Sequence, residues 1–257
     1  MNIFQVLLLG LIQGVTEFLP ISSLGHLALF QRLLGLKLPL VFDVLVHSGT
    51  LGALILFFQK DIKRTTIGAW EEIKRRQFGQ QWKLIGFLIL GSLPVAMVGL
   101  LFRSLVEKAF ADLVLVGIGF LTTAALLFLG KVKIRNNSTL SQVIGIGLVQ
   151  ALAILPGISR SGSTVSVGVM LGMKKEEAFR FSFFLGMMAI FGATILQIPP
   201  IADFDAPKII ESFLAMGAAF LSGYFSLKLL KSIFLKGYLW YFAFYCLAIA
   251  GVCFAIR

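Results

Sequence analysis

Apolar sequence runs from both sides into Leu155-Pro156-Gly157-Ile158-Ser159-Arg160-Ser161-Gly162-Ser163-Thr164. That run holds an arginine, four hydroxyls, two glycines and a proline. A continuous transmembrane helix does not accommodate it. Proline and glycine break the helix, and a guanidinium near mid-membrane costs on the order of several kcal/mol unless something pairs with it. Irregular backbone at that depth persists only when buried in protein or lining a wet cavity. A helix that restarts after the break would aim free N–H groups and its positive dipole end at that cavity. Arginine, hydroxyls and backbone N–H groups together describe a phosphate site. The plainer reading is a kinked span whose arginine pairs a carboxylate.

Composition places this run inside a membrane. Of 257 residues, 58% are hydrophobic and 14% charged, and the mean hydropathy is +0.94. These values indicate an all-α polytopic membrane protein. Arg32 is the first Lys or Arg, so the first apolar run lacks the basic flank of a cleavable signal and is expected to belong to the mature fold. Cys246 and Cys253 lie two helical turns apart on one expected span, about 10 Å, too far for a disulfide. No Cys/His cluster suggests zinc. The net charge of +11 reads as a topology signal rather than a nucleic-acid footprint, because no soluble domain presents it.

Residues 3–34 are expected to form a re-entrant helix–loop–helix, broken at Pro20-Ile21-Ser22-Ser23. The limb after the break is too short and polar to span alone. Full spans are expected near 40–58, 84–101 and 112–130. A second re-entrant pair covers 141–173, and three more spans lie near 177–197, 208–230 and 238–256. Gly10-Leu11-Ile12-Gln13-Gly14 is echoed by Gly147-Leu148-Val149-Gln150-Ala151, each followed by a proline and a Ser-rich loop. The expected architecture is one integral-membrane domain, 1–257, built as an inverted repeat of halves 1–130 and 131–257. It would hold two re-entrant pairs plus six transmembrane helices.

Charge orients these spans. With the 59–83 loop placed in the cytoplasm, that face also receives 131–140, 172–180 and 228–237. Together these segments carry 16 Lys/Arg against 5 Asp/Glu. The opposite face holds Arg32, Lys37, Arg103, Lys108, Lys208 and Arg257 against six acids. The whole net charge falls on one side, as the positive-inside rule requires.

Gln13 and Glu17 stand at i and i+4 on one helix face. Glu17 has three candidate tasks: metal ligand, general base, or partner to Arg160. Ser22 and Ser23 sit in the break, where a hydroxyl caps a helix, binds phosphate or acts as nucleophile. His26 lies three residues beyond Ser23 and could be its general base or a hydrogen-bonded core histidine. His47, inside an expected span, reads as packing or support. Arg160 would clamp a phosphoryl group, with Ser159, Ser161, Ser163 and Thr164 as further donors. Loops entering from opposite faces would bring Glu17, Ser23, His26 and Arg160 into one pocket.

Gln-Gly-Val-Thr-Glu-Phe-Leu-Pro-Ile-Ser-Ser-Leu-Gly-His (Gln13–His26) and Leu-Pro-Gly-Ile-Ser-Arg-Ser-Gly-Ser-Thr (Leu155–Thr164) resemble the two signatures of the bacitracin-resistance family, the undecaprenyl-diphosphate phosphatases. Phe42-Asp43-Val44 and Gly49-Thr50-Leu51 add to the resemblance, which covers nearly the whole chain. It implies hydrolysis of a polyprenyl-diphosphate lipid on the outer side of the plasma or inner membrane, recycling the carrier of cell-wall precursors and conferring bacitracin resistance. It also implies a divalent metal, Mg or Ca, at Glu17 and Gln13. Ser23 becomes the favoured nucleophile, with His26 assisting or competing for that role, Glu17 serving the metal or acting as base, and Arg160 stabilising charge; direct attack by water is an equal variant. Ser22, Ser159, Ser161 and Thr164 would bind the diphosphate. Gln13 stands where many members carry a glutamate, and a neutral amide is a poorer metal ligand and no base. Leu24 stands where Thr is common. The partners expected are the lipid substrate and membrane lipids, with a homodimer left open and no nucleic acid. Two other classes compete: a lipid-phosphate flippase using the same anion site without a nucleophile, and a non-catalytic lipid-binding scaffold.

Overall fold

The computed structural model describes residues 3–35, 40–134, 138–196 and 206–256; for Leu40, Val41, Asp43, Arg103, Glu107 and residues 206–209 it describes the backbone alone. The described residues form helices and no strand. In chain order these are α1 (Ile3–Phe18), α2 (Ser23–Leu34), α3 (Leu40–Phe57), α4 (Gln59–Lys74), α5 (Gln80–Leu101), α6 (Arg103–Ala111) and α7 (Leu113–Leu129). Then come α8 (Thr139–Leu152), α9 (Arg160–Met170), α10 (Lys175–Leu196), α11 (Ala206–Leu235), a 3-10 turn (Leu239–Tyr241) and α12 (Phe242–Ala255).

Helices occupy every segment expected to hold one, and both expected breaks separate helices. Two differences stand out. The 59–83 segment, read as a loop, contains α4; its charges hide a helical pattern in which Ala69 alone is buried. A short α6 precedes α7, and the pair bends by 96°. Asp112 makes that corner, its carboxylate accepting from Val114 N at 2.8 Å and Leu115 N at 3.4 Å, a side-chain cap that starts α7. Lys37, Asp43, Arg103, Glu107, Arg135, Asp203, Asp205, Lys208 and Arg257, used in the charge count or the resemblance, lie outside the described side chains.

By length and composition, three described helices can cross a membrane: Gln80–Leu101, Lys175–Leu196 and Ile210–Leu235. α1, α8, α12 and the bulk of α3 are shorter and apolar. Outward faces carry apolar side chains, with Leu93, Met97 and Leu100 exposed on α5 and Leu221, Phe225 and Leu229 on α11. Hydrocarbon, not water, suits such a surface, and the chain is a multi-pass membrane protein.

α1 packs on α11 and α8 packs on α5. Each contact is made by a glycine of the echoed motif. A Cβ on Gly10 would run into the Ala215 carbonyl, and one on Gly147 would stand 2.7 Å from the Gly91 carbonyl. α3 packs on α11, α10 on both α3 and α5, and α7 on α12. The short limbs α2 and α9 reach inward to α7. Phe18, Phe120 and Phe183 are fully buried around them.

Candidate active site

Both breaks end in a serine that caps the next helix. The Ser22 hydroxyl accepts from Gly25 N at 3.2 Å and starts α2; the Ser159 hydroxyl accepts from Gly162 N at 3.2 Å and starts α9. Ser23 and Arg160 are therefore the first residues of the two inner helices. A helix start leaves N–H groups without intrahelical partners and a positive dipole end, so both favour an anion in the space ahead.

The two breaks are tied together. The Ser22 hydroxyl also accepts from Gly157 N at 3.1 Å, across 135 residues of chain. The Ser161 hydroxyl donates to the Leu19 carbonyl at 3.3 Å. Thr123 of α7 braces the second break by donating to the Gly157 carbonyl and accepting from Ser159 N, both at 2.8 Å. Gly157 has φ of +89°, and a Cβ there would strike the Val116 carbonyl, so glycine meets both demands.

Glu17, at the end of α1, is the hub. Its Oε1 accepts from Arg160 Nη2 at 2.7 Å. Its Oε2 accepts from Ser23 Oγ at 2.6 Å and from Gln13 Nε2 at 3.0 Å. His47 Nε2 stands 3.6 Å from the same oxygen. The side chains of Glu17 and Arg160 are 7% and 14% exposed, so each supplies the charge that makes burial of the other tolerable. Arg160 Nη1 is buried without a hydrogen-bond partner among the described residues, as is Gln13 Oε1. Gly186 of α10 makes room for the guanidinium; a Cβ there would strike Nη1.

The structure thus brings Gln13, Glu17, Ser23 and Arg160 together. His26 is turned another way. Its Nδ1 lies 2.8 Å from the Ser22 carbonyl and its Nε2 2.7 Å from Tyr245 Oη, with the ring stacked on Tyr245 and edge-on to Phe120. Ser22, Ser159, Ser161 and Thr164 spend hydroxyl bonds within the fold, Thr164 on the Arg160 carbonyl at 2.7 Å and on Ser182. Residues not singled out from sequence are Thr123, Gly186 and Tyr245. Thr123 had a signal, a threonine pair inside an apolar span. Gly186 and Tyr245 had none, since their importance comes from partners far away in the chain.

Among the described residues, no group of three or more His, Cys, Asp or Glu side chains gathers to hold a metal. A magnesium-type cation, however, commonly binds through one or two carboxylates plus substrate phosphates. Glu17, with the unpartnered Gln13 Oε1 four residues before it, fits that kind of site.

A charged site closed inside apolar helices, reached by two helices that begin in the interior, defines a membrane protein that works on a polar group within its own bundle. The profile of the family described as "Bacitracin resistance protein BacA" matches residues 6–252, and the chain belongs to that family. It is 41% identical to an undecaprenyl-diphosphatase of Methanobrevibacter smithii, covering 96% of this chain and 94% of the relative. It is 38% identical to an undecaprenyl-diphosphatase of Korarchaeum cryptofilum, covering 97% of each. A protein of Bacillus thuringiensis named undecaprenyl-diphosphatase 2 is 39% identical, covering 97% and 96%.

Proposed function

We propose that this chain is a membrane phosphatase that hydrolyses undecaprenyl diphosphate to the monophosphate and phosphate, recycling the cell-wall lipid carrier and conferring bacitracin resistance. The observation that carries the reading is the Ser23 hydroxyl bonded at 2.6 Å to a buried carboxylate that also pairs with Arg160. Glu17 takes the proton as Ser23 Oγ attacks the terminal phosphorus. The P–O–P bridge breaks and polyprenyl monophosphate leaves. Water then cleaves the seryl phosphate and restores the hydroxyl. Arg160 and the N–H groups at the starts of α2 and α9 stabilise the transferring phosphoryl; positioning and charge stabilisation are the main tasks in such chemistry. A divalent cation, Mg or Ca, would be held by Gln13 and Glu17 and would neutralise phosphate charge. His26 supports the break through the Ser22 carbonyl. A flippase would use the arginine and helix starts but leave the Ser23–Glu17 bond without a task.

The inverted repeat belongs to the same proposal. Ser22 and Ser159, Ser23 and Arg160, Gly10 and Gly147, and Gly49 and Gly186 are paired at one constant spacing. The α1–α11 and α8–α5 contacts exchange under that pairing. The basic segments face the cytoplasm, and substrate would reach the closed site from the outer side.

The test is phosphate release from undecaprenyl diphosphate by purified protein in detergent, with and without chelator. Ser23→Ala and Arg160→Ala should each lower turnover by about 10²-fold or more. Near-normal release from either variant would end this assignment.

A further inference from the structure

The corner where α4 meets α5 is built firmly and lies away from the site. The Glu72 carboxylate accepts from Gln81 N at 3.0 Å and Trp82 N at 3.1 Å, capping α5 from another helix. The Trp82 indole donates back to the Ala69 carbonyl at 3.0 Å. Beside this corner is a shallow, open groove of about 630 Å³ whose lining comes entirely from residues 78–89, among them Phe78, Trp82, Lys83, Ile85, Gly86 and Ile89. A Cβ on Gly86 would meet nothing within 4 Å, so the groove floor is open along α5.

Its chemistry is two-sided. Phe78 is 95% exposed and meets Trp82 edge-on, and Ile89 is 51% exposed two turns beyond Trp82 along α5. Lys83 is among the lining residues, its Nζ 5.7 Å from the Phe87 ring centre, and Lys74, Arg75 and Arg76 precede Gln77 and Phe78 in the chain. Of the acids at this corner, Glu72 is committed to backbone amides, and Glu71 is exposed three residues before Lys74. α4 continues the pattern: Lys60, Lys63, Ile67, Trp70 and Lys74 share one exposed stripe, with Lys74 Nζ 5.5 Å from the Trp70 ring centre. Water does not favour such a Trp/Ile/Phe surface, and hydrocarbon does not favour its lysines, whereas the headgroup layer suits both. The same face carries Lys131 over Trp240, Lys228 over Tyr224 and Lys231 over Phe57. This belt of paired lysines and aromatics marks a bilayer boundary.

We propose that this corner binds one anionic phospholipid of the leaflet that meets the basic segments. An acyl chain lies along Gly86 and Ile89 between the exposed apolar side chains. The phosphate faces Lys83 and the Lys74–Arg76 run. Charge selects the occupant: an apolar floor beside cationic side chains matches an anionic lipid better than a zwitterionic one.

Native mass spectrometry of the full chain, released from detergent after addition of phosphatidylglycerol or phosphatidylcholine, tests this directly. Wild type should keep one phosphatidylglycerol per chain at collision energies that strip phosphatidylcholine. Its melting temperature should rise more with the former. Gly86→Leu fills the groove and Lys83→Gln removes the charge from its lining. Each should abolish the retained lipid and the difference in melting temperature while leaving the melting temperature in phosphatidylcholine near wild type. Equal retention of the two lipids by wild type would overturn the proposal. Undiminished selectivity in both variants would do the same, as would a concentration-dependent dimer that Gly86→Leu dissolves, since a second copy would then be the occupant.

Discussion

At the scale of single residues, Glu17 is tied to three donors at once, and its neighbours are unequal. Removing Arg160 leaves the carboxylate buried without its main counter-charge, which costs about 3–5 kcal/mol. Arg160→Ala should therefore lose stability as well as turnover. Glu17→Gln in the same chain should recover most of the stability and none of the activity, as read by thermal melting beside phosphate release. Recovery of activity in the double variant would mean that the arginine is only a structural partner. His26 gives a second residue-scale prediction. A carbonyl can only accept, so neutral His26 carries its proton on Nδ1, bonded to the Ser22 carbonyl, and Tyr245 donates to Nε2. Nitrogen NMR of His26 should report that tautomer. Tyr245→Phe should cost about 1 kcal/mol and lower turnover less than Ser23→Ala does. A larger loss than that of Ser23→Ala would place His26 in the chemistry itself.

At the scale of elements, the decisive features are where helices start and how closely they approach. Gly10 lets α1 lie against the Ala215 backbone of α11. Gly10→Leu should force the pair apart and cost about 1–3 kcal/mol or more by overpacking, seen as a lower melting temperature. Gly192→Leu, at a position with open space, should have little effect. The α4–α5 corner responds to pH. Hydrogen bonds from the Gln81 amide, then from Trp82 and its neighbours, hold the Glu72 carboxyl below its ordinary value. Because the folded value is the lower one, this contribution is complete above the ordinary carboxylate range and is lost as pH falls through the depressed value. Amide exchange at residues 80–82 should therefore accelerate in acid relative to Glu72→Gln, which lacks the titration. Identical pH dependence in the two proteins would remove Glu72 from that role.

At the scale of the whole molecule, the charge asymmetry and the reciprocal contacts of the two halves make a topological prediction. A cysteine at Gln77, between α4 and α5, should react with a membrane-impermeant maleimide only after permeabilisation. One at Ser104 should react from outside. The reverse pattern would turn the site inward. Much of this organisation is written along the chain. Apolar run lengths, Pro20, Pro156 and the capping serines specify helices and their interruptions, because capping and breaking are local chemistry. Net charge per segment gives an expected orientation without reference to packing. The same local reading missed α4, whose charges mask a helix that sits at a surface. Nor could it show that the hydroxyls of Ser22, Ser159, Ser161 and Thr164, expected to bind the diphosphate, also serve as caps and bridges within the fold. Sequence alone therefore determined where the helices stop and which motif residues stand at the two breaks. Only the tertiary structure decided that Ser23 bonds Glu17 while His26 bonds Tyr245, that Thr123 braces the second break, and that Gly186 admits the guanidinium. These are contacts between residues far apart in the chain, and no local preference encodes the direction in which a side chain finds such a partner.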